Sequence, residues 1–221
     1  MSRAYIPTRS ASDWRALLAD PAKQWRVGYS AMAAAQSWET ANGLPPEIAS
    51  MFAPGAKLLL AIPEHQVPLP GRGAASQCDV FAFVRESTMR IALTVEAKVA
   101  EPFGPTVGEW LRDASEGKRQ RLAALCDLLG CAAPPEHLRY QLFHRTAAAL
   151  IEADRFGAEA AAMIVQSFSQ KHRWFEDFAD FAAFLGASPE RKMPSQIIAP
   201  GGMPLTLGWA TGDERYLREI A

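Results

Sequence analysis

Cysteine is scarce in this chain: Cys78, Cys126 and Cys131 are the only three in 221 residues. An odd, small number in mostly apolar surroundings excludes a disulfide-stapled scaffold. Cys126 and Cys131 have neither metal-ligand spacing nor a His pair to complete a zinc site, so reduced, buried thiols are expected. Charge of neither sign is in excess, with 23 Lys and Arg against 24 Asp and Glu and a formal net charge of −1. No global basic field therefore advertises nucleic-acid binding, and any such contact has to come from a local patch. Long apolar runs are missing too. Met1–Ser12 lacks an apolar core of signal-peptide length and no stretch approaches a membrane span, so a cytoplasmic location without a membrane partner is expected. There is no P-loop, no Gly-x-Gly-x-x-Gly after a strand, no Gly-x-Ser-x-Gly elbow and no His-Glu-x-x-His.

What the chain does have is an ordinary globular composition, 49% hydrophobic and 21% charged, enough for a substantial core in a single domain spanning 1–221. Ser12-Asp13 caps a short helix that stops at Asp20-Pro21, and a longer helix is expected over 22–41, ending at Asn42-Gly43. A turn of helix over 47–51 precedes a compact apolar strand, 57–62, and a Pro- and Gly-rich loop, 63–75. Strands follow at 78–85 and 90–98, then helices at 106–114, 117–129 and 138–156. A central strand at 160–168, an aromatic helix at 174–185 and an edge strand at 205–209 complete the order. Three meandering strands crossed by a helix to a fourth make a mixed α/β sheet flanked by helices.

The hairpin at 78–98 concentrates the chemistry. If Ser87-Thr88 is a two-residue loop, Glu86 faces Met89, and the same register sets Asp79 opposite Glu96. Lys98, two residues beyond Glu96, then emerges on the same sheet face. Ser-Thr is not a favoured pair for the primed turns of such loops, and a slip of one residue would undo the arrangement. Two acids and a lysine on one face suit a divalent cation such as Mg²⁺, which takes one or two carboxylates and keeps several waters. The plainer alternative is an exposed ion-pair cluster.

Other residues stand as candidates around this centre. Gln77 precedes Asp79 and is placed to touch substrate or a metal-bound water. Gln141 and Arg145 are spaced i, i+4 on the long helix beside Arg139 and His144, a face that either contacts phosphates or packs inward. Lys118, Arg119 and Arg121 form the one compact basic cluster, either a solvated helix face or a phosphate grip. Glu64-His65 reads as a polar loop pair, with a site role as the alternative, and Glu101 as a loop cap. The stripe Trp174, Phe175, Phe178, Phe181 and Phe184 has core spacing.

Taken together, Cys78-Asp79, Glu96-Ala97-Lys98 and Glu39 on the helix ahead of the sheet resemble the PD-(D/E)XK nuclease superfamily, with its restriction-endonuclease-like α-β-β-β-α-β core. The resemblance spans 22–168, leaving 169–221 as a C-terminal helix and edge-strand extension. The stretches Ser76–Val80, Val95–Val99 and Leu138–Thr146 also resemble a group of uncharacterised bacterial proteins. Cys78 stands where the motif has proline, and the Gln-x-x-x-Tyr element of one branch is unmatched, Tyr140-Gln141 being arranged differently. The resemblance implies a nuclease acting on nucleic acid, in the first instance DNA. Asp79 and Glu96 would hold Mg²⁺ or Mn²⁺, Glu39 would be a further ligand through water, and Lys98 would stand beside the attacking water. Gln77, Gln141, Arg145 and Lys118 would meet the substrate. A homodimer or a partner subunit would supply specificity, since nothing in the chain looks like a helix-turn-helix or zinc finger. The alternatives are a non-catalytic protein of the same fold that binds nucleic acid or a protein partner, and an accessory protein working through its aromatic helix.

Overall fold

The computed structural model describes residues 8–188 and 190–218. A 3₁₀ turn, Ala11–Leu17, and three helices, α1 (Pro21–Gln24), α2 (Ser30–Ala41) and α3 (Pro46–Ala49), precede the sheet. Strands β1 (Lys57–Val67), β2 (Ser76–Glu86) and β3 (Met89–Lys98) form an antiparallel meander. Helices α4 (Val107–Leu111), α5 (Glu116–Leu129) and α6 (Tyr140–Phe156) cross to β4 (Ala160–Ser167), which lies parallel to β3. After α7 (Phe175–Phe184) come β5 (Ser195–Ala199) and β6 (Met203–Thr211). The result is one six-stranded mixed sheet in the order β1-β2-β3-β4-β6-β5, with helices on both faces.

The expected hairpin register is observed from Glu86, paired with Met89, to Val80, paired with Val95, but the ladder stops there and the expected Asp79–Glu96 pair is not formed. Ser87 accepts the left-handed backbone (φ 54°) that the two-residue turn demands, despite its side chain. Alternation then sorts β3 between two cores. Leu93, Val95 and Ala97 pack with α2, while Ala92 packs under α6 and the Thr94 hydroxyl donates to the Arg145 carbonyl at 3.0 Å. Glu96 and Lys98 share the α6 face by the same parity.

Four expectations change. The helix expected over 22–41 is broken into α1 and α2, because Gly28 turns the chain at φ 81°. The first short helix is 3₁₀ rather than α. The strand expected to stop at Ile62 continues to Val67, since Pro63 sits in an edge strand where a missing N–H is tolerated. Finally, 205–209 is not an edge. It lies inside β6, between β4 and the short strand β5, so part of 169–221 belongs to the same sheet as the core. Among the described residues no helix is long and apolar enough to cross a membrane.

Candidate functional site

A cleft of about 440 Å³ opens where β1, β2, β3 and α6 meet the N-terminus of α2. Four carboxylates line it: Glu64 from β1, Asp79 from β2, Glu96 from β3 and Glu101 from the loop after β3, of which the first three converge. They come together because β2 changes course at Asp79. Ladder pairing with β3 ends at Val80, and Cys78 packs against Ala148 of α6 while Val80 packs on the opposite face. The Asp79 side chain takes the place of the lost partner, its Oδ2 accepting the Ala97 N–H at 2.6 Å. On the other side Glu64 adopts a left-handed backbone (φ 54°) and accepts from Gln77 Nε2 at 2.8 Å.

Glu96, 2% exposed, is held by three donors. Its Oε1 accepts from Lys98 Nζ at 2.6 Å and Gln141 Nε2 at 2.8 Å, and its Oε2 from Arg145 Nε at 2.5 Å. Burial alone would raise its pKa, but Arg145 and Lys98 outweigh burial and hold it down at about 2. Glu96 keeps Arg145 charged in return, against burial. Arg145 Nη1 also donates to Ser76 Oγ at 2.8 Å, and that hydroxyl meets His144 Nδ1 at 2.9 Å. Burial and the neighbouring Arg145 push the His144 pKa down to about 3, so this imidazole is neutral.

The other two acids have no cation of their own. Burial and then the Glu96 charge push Asp79 up to about 7, against Lys98 and Arg145. Burial and then the Asp79 charge push Glu64 up to about 8. The cleft therefore pairs one fully compensated carboxylate with two whose ionisation is resisted first by burial and then by a neighbouring carboxylate, Glu96 acting on Asp79 and Asp79 on Glu64.

Of the residues singled out from sequence, Gln77, Asp79, Glu96, Lys98, Gln141 and Arg145 all line this cleft. Glu39 does not. Its Oε1 accepts from Trp14 Nε1 at 2.7 Å and Thr8 Oγ1 at 2.6 Å, which ties the N-terminal 3₁₀ turn to α2. The helix is oriented so that Ser30 reaches the cleft, and Glu39 lies nine residues further on, about 13 Å along the axis. Lys118 lines a separate hollow on α5. Glu101 borders the cleft, yet its carboxylate is consumed by the backbone N–H groups of Ser30, Val99 and Ala100, each at 2.9 Å. Glu64 is the member sequence reasoning placed in a loop. The signal available was the stretch Glu64–Val67, which continues β1 once Pro63 is accepted in an edge strand. The metal implied by the motif has a partial donor set here. No group of three or more His, Cys, Asp or Glu in a metal-holding arrangement occurs among the described residues. Asp79 and Glu64 nevertheless supply two oxygen donors in want of a cation, as many as Mg²⁺ usually takes from protein.

Fold and site define an α/β protein with a carboxylate-lined cleft at one end of a mixed sheet. The chain belongs to the family described as a domain of unknown function, DUF6946, which matches residues 7–214. No curated protein and no solved structure matches it.

Proposed function

We propose that this protein is a nuclease with a restriction-endonuclease-like core, hydrolysing phosphodiester bonds in nucleic acid with Mg²⁺ or Mn²⁺. The element order α-β-β-β-α-β supports this, as do Asp79 on the second strand and Glu96-x-Lys98 on the third, gathered in one cleft. The observation that carries it is the contrast among the acids. Glu96 is saturated by Lys98, Gln141 and Arg145, while Asp79 and Glu64 form no ion pair among the described residues. Two inward carboxylates without a counter-ion are a cost in stability that a bound divalent cation removes.

Asp79 and Glu96 are the carboxylates that would hold the metal, with Glu64 beside them. When bound, the ion polarises a phosphodiester and lowers the pKa of a coordinated water. Lys98 orients that water from its seat against Glu96 and stabilises charge developing on the phosphate. Arg145 fixes Glu96 in orientation from behind, and Gln77 and Gln141 present amides to the substrate. Gln141 Oε1 is buried without a hydrogen-bond partner.

A second function, a non-catalytic nuclease-fold protein that binds nucleic acid or a protein partner, is favoured by one feature. Glu96 already has a full complement of donors, which a metal has to disturb. Calorimetric titration with Mn²⁺ separates the two. The nuclease requires one Mn²⁺ site that Asp79→Asn weakens at least about tenfold. Absence of binding to the wild-type protein removes the nuclease and leaves the second function.

A further inference from the structure

A second hollow, of about 280 Å³, lies where α5 and α6 meet the loop that joins β1 to β2. Arg121 forms its wall and is only 7% exposed. Its Nη1 donates to the Ala74 carbonyl at 2.7 Å, whereas Nε and Nη2 are buried without a partner. Those two groups form one edge of the guanidinium, the edge that grips a phosphate or carboxylate with two parallel hydrogen bonds. No Asp or Glu lines the hollow, and Arg121 makes no ion pair among the described residues. A buried, uncompensated guanidinium with an idle bidentate edge is a costly feature for stability alone.

The surroundings favour an anion. The Tyr140 hydroxyl in the same hollow is also buried and lies beside Arg121, whose charge acts on it against burial although the two form no well-aligned hydrogen bond. Lys118 stands exposed at the rim, its Nζ 5.2 Å over the Trp110 ring and donating to the Trp110 carbonyl at 3.1 Å. Arg72 faces it from the loop. Gly73 permits the close wrap, because a Cβ there would sit 3.1 Å from Arg121 Nη2 and the backbone is at φ 126°.

We infer that this hollow is a binding site for a phosphate group, gripped by the Nε–Nη2 edge of Arg121 with Tyr140, Lys118 and Arg72 around it. Three cationic side chains and no acid suit a phosphate, the charge arriving either as a phosphodiester of a strand or as a phosphomonoester. The site stands independently of the metal cleft, although the two share α6. Arg145 and His144 are neighbours in sequence, and both reach Ser76 Oγ, at 2.8 and 2.9 Å.

The test is calorimetry in a chelating buffer, which silences the metal cleft. The probes are inorganic phosphate, a short single-stranded oligodeoxynucleotide, and the same oligonucleotide carrying a 5′-phosphate. Wild-type protein is expected to bind inorganic phosphate, and Arg121→Met to weaken it by about tenfold or more. Lys118→Glu, an exposed change that leaves the fold intact, weakens all three probes several-fold. A gain from the 5′-phosphate assigns the hollow to a monoester, and equal binding of both oligonucleotides assigns it to a strand diester. No binding of phosphate to the wild type, or binding indifferent to both substitutions, overturns the inference.

Discussion

The carboxylate of Asp79 accepts the backbone N–H of Ala97 at 2.6 Å, at the point where β2 parts from β3. One side chain thus closes a break in the sheet and points an acid into the cleft. Asp79→Ala is expected to leave the Ala97 N–H unsatisfied and destabilise the protein by about 1–3 kcal/mol. Asp79→Asn retains an acceptor and is expected to stay within about 1 kcal/mol of wild type in urea denaturation. Equal losses for the two variants would count against this dual role.

Stability of the metal-free protein should fall as pH rises through neutrality. Asp79 and Glu64 have pKa values raised to about 7 and about 8 in the folded state, from ordinary values of 3.8 and 4.5. The folded chain then holds protons that the unfolded chain has released, so stability is full below the ordinary carboxylate range and is lost as pH rises through the folded values. His144 and Glu96, lowered to about 3 and about 2, act in the opposite sense and only at lower pH. The melting temperature in chelator is expected to drop between about pH 6.5 and pH 8.5, and Asp79→Asn to flatten the slope. A melting curve that rises over this range contradicts the assignment.

Arg145 and Glu96 are a buried pair, each under a tenth exposed. Arg145→Met strands the Glu96 charge against Lys98 alone and is expected to cost about 3 kcal/mol or more. Pairing it with Glu96→Gln should recover a large part of that loss, since the isolated charge is then gone. Additive losses in the double variant would mean that the two side chains do not act as a unit.

Glu39→Gln tests whether Glu39 stands outside the metal site. The carboxylate serves Trp14 and Thr8, so its replacement is expected to cost about 1 kcal/mol of stability and leave Mn²⁺ affinity unchanged. A clear loss of metal affinity would return Glu39 to the site.

Local pattern carried the hairpin far. Alternation placed Glu96 and Lys98 on one face, and the shortness of the Ser87-Thr88 loop left one register that buries both strands. The i, i+4 spacing of Gln141 and Arg145 placed both on one helix face, and both reach Glu96. Helix orientation over the sheet is not a local property, which is why Glu39 reads as a further ligand in the sequence yet lies at the end of α2 away from the cleft. Pro63 reads as a strand end in isolation, and only its place at the sheet edge explains why β1 continues to Glu64. Strand β5 is five residues of mixed polarity, too short for periodicity to disclose. The idle edge of Arg121 was equally hidden, because a basic run at the start of a helix looks the same whether or not one member turns inward.

Cleavage of mixed DNA and RNA substrates with Mg²⁺ or Mn²⁺ tests the proposed function most directly, comparing wild type with Asp79→Asn and Lys98→Ala. Metal-dependent cutting by the wild type, lost by about a hundredfold or more in both variants, is the expected result. Cutting that survives both substitutions, or none by the wild type at any metal concentration, contradicts it.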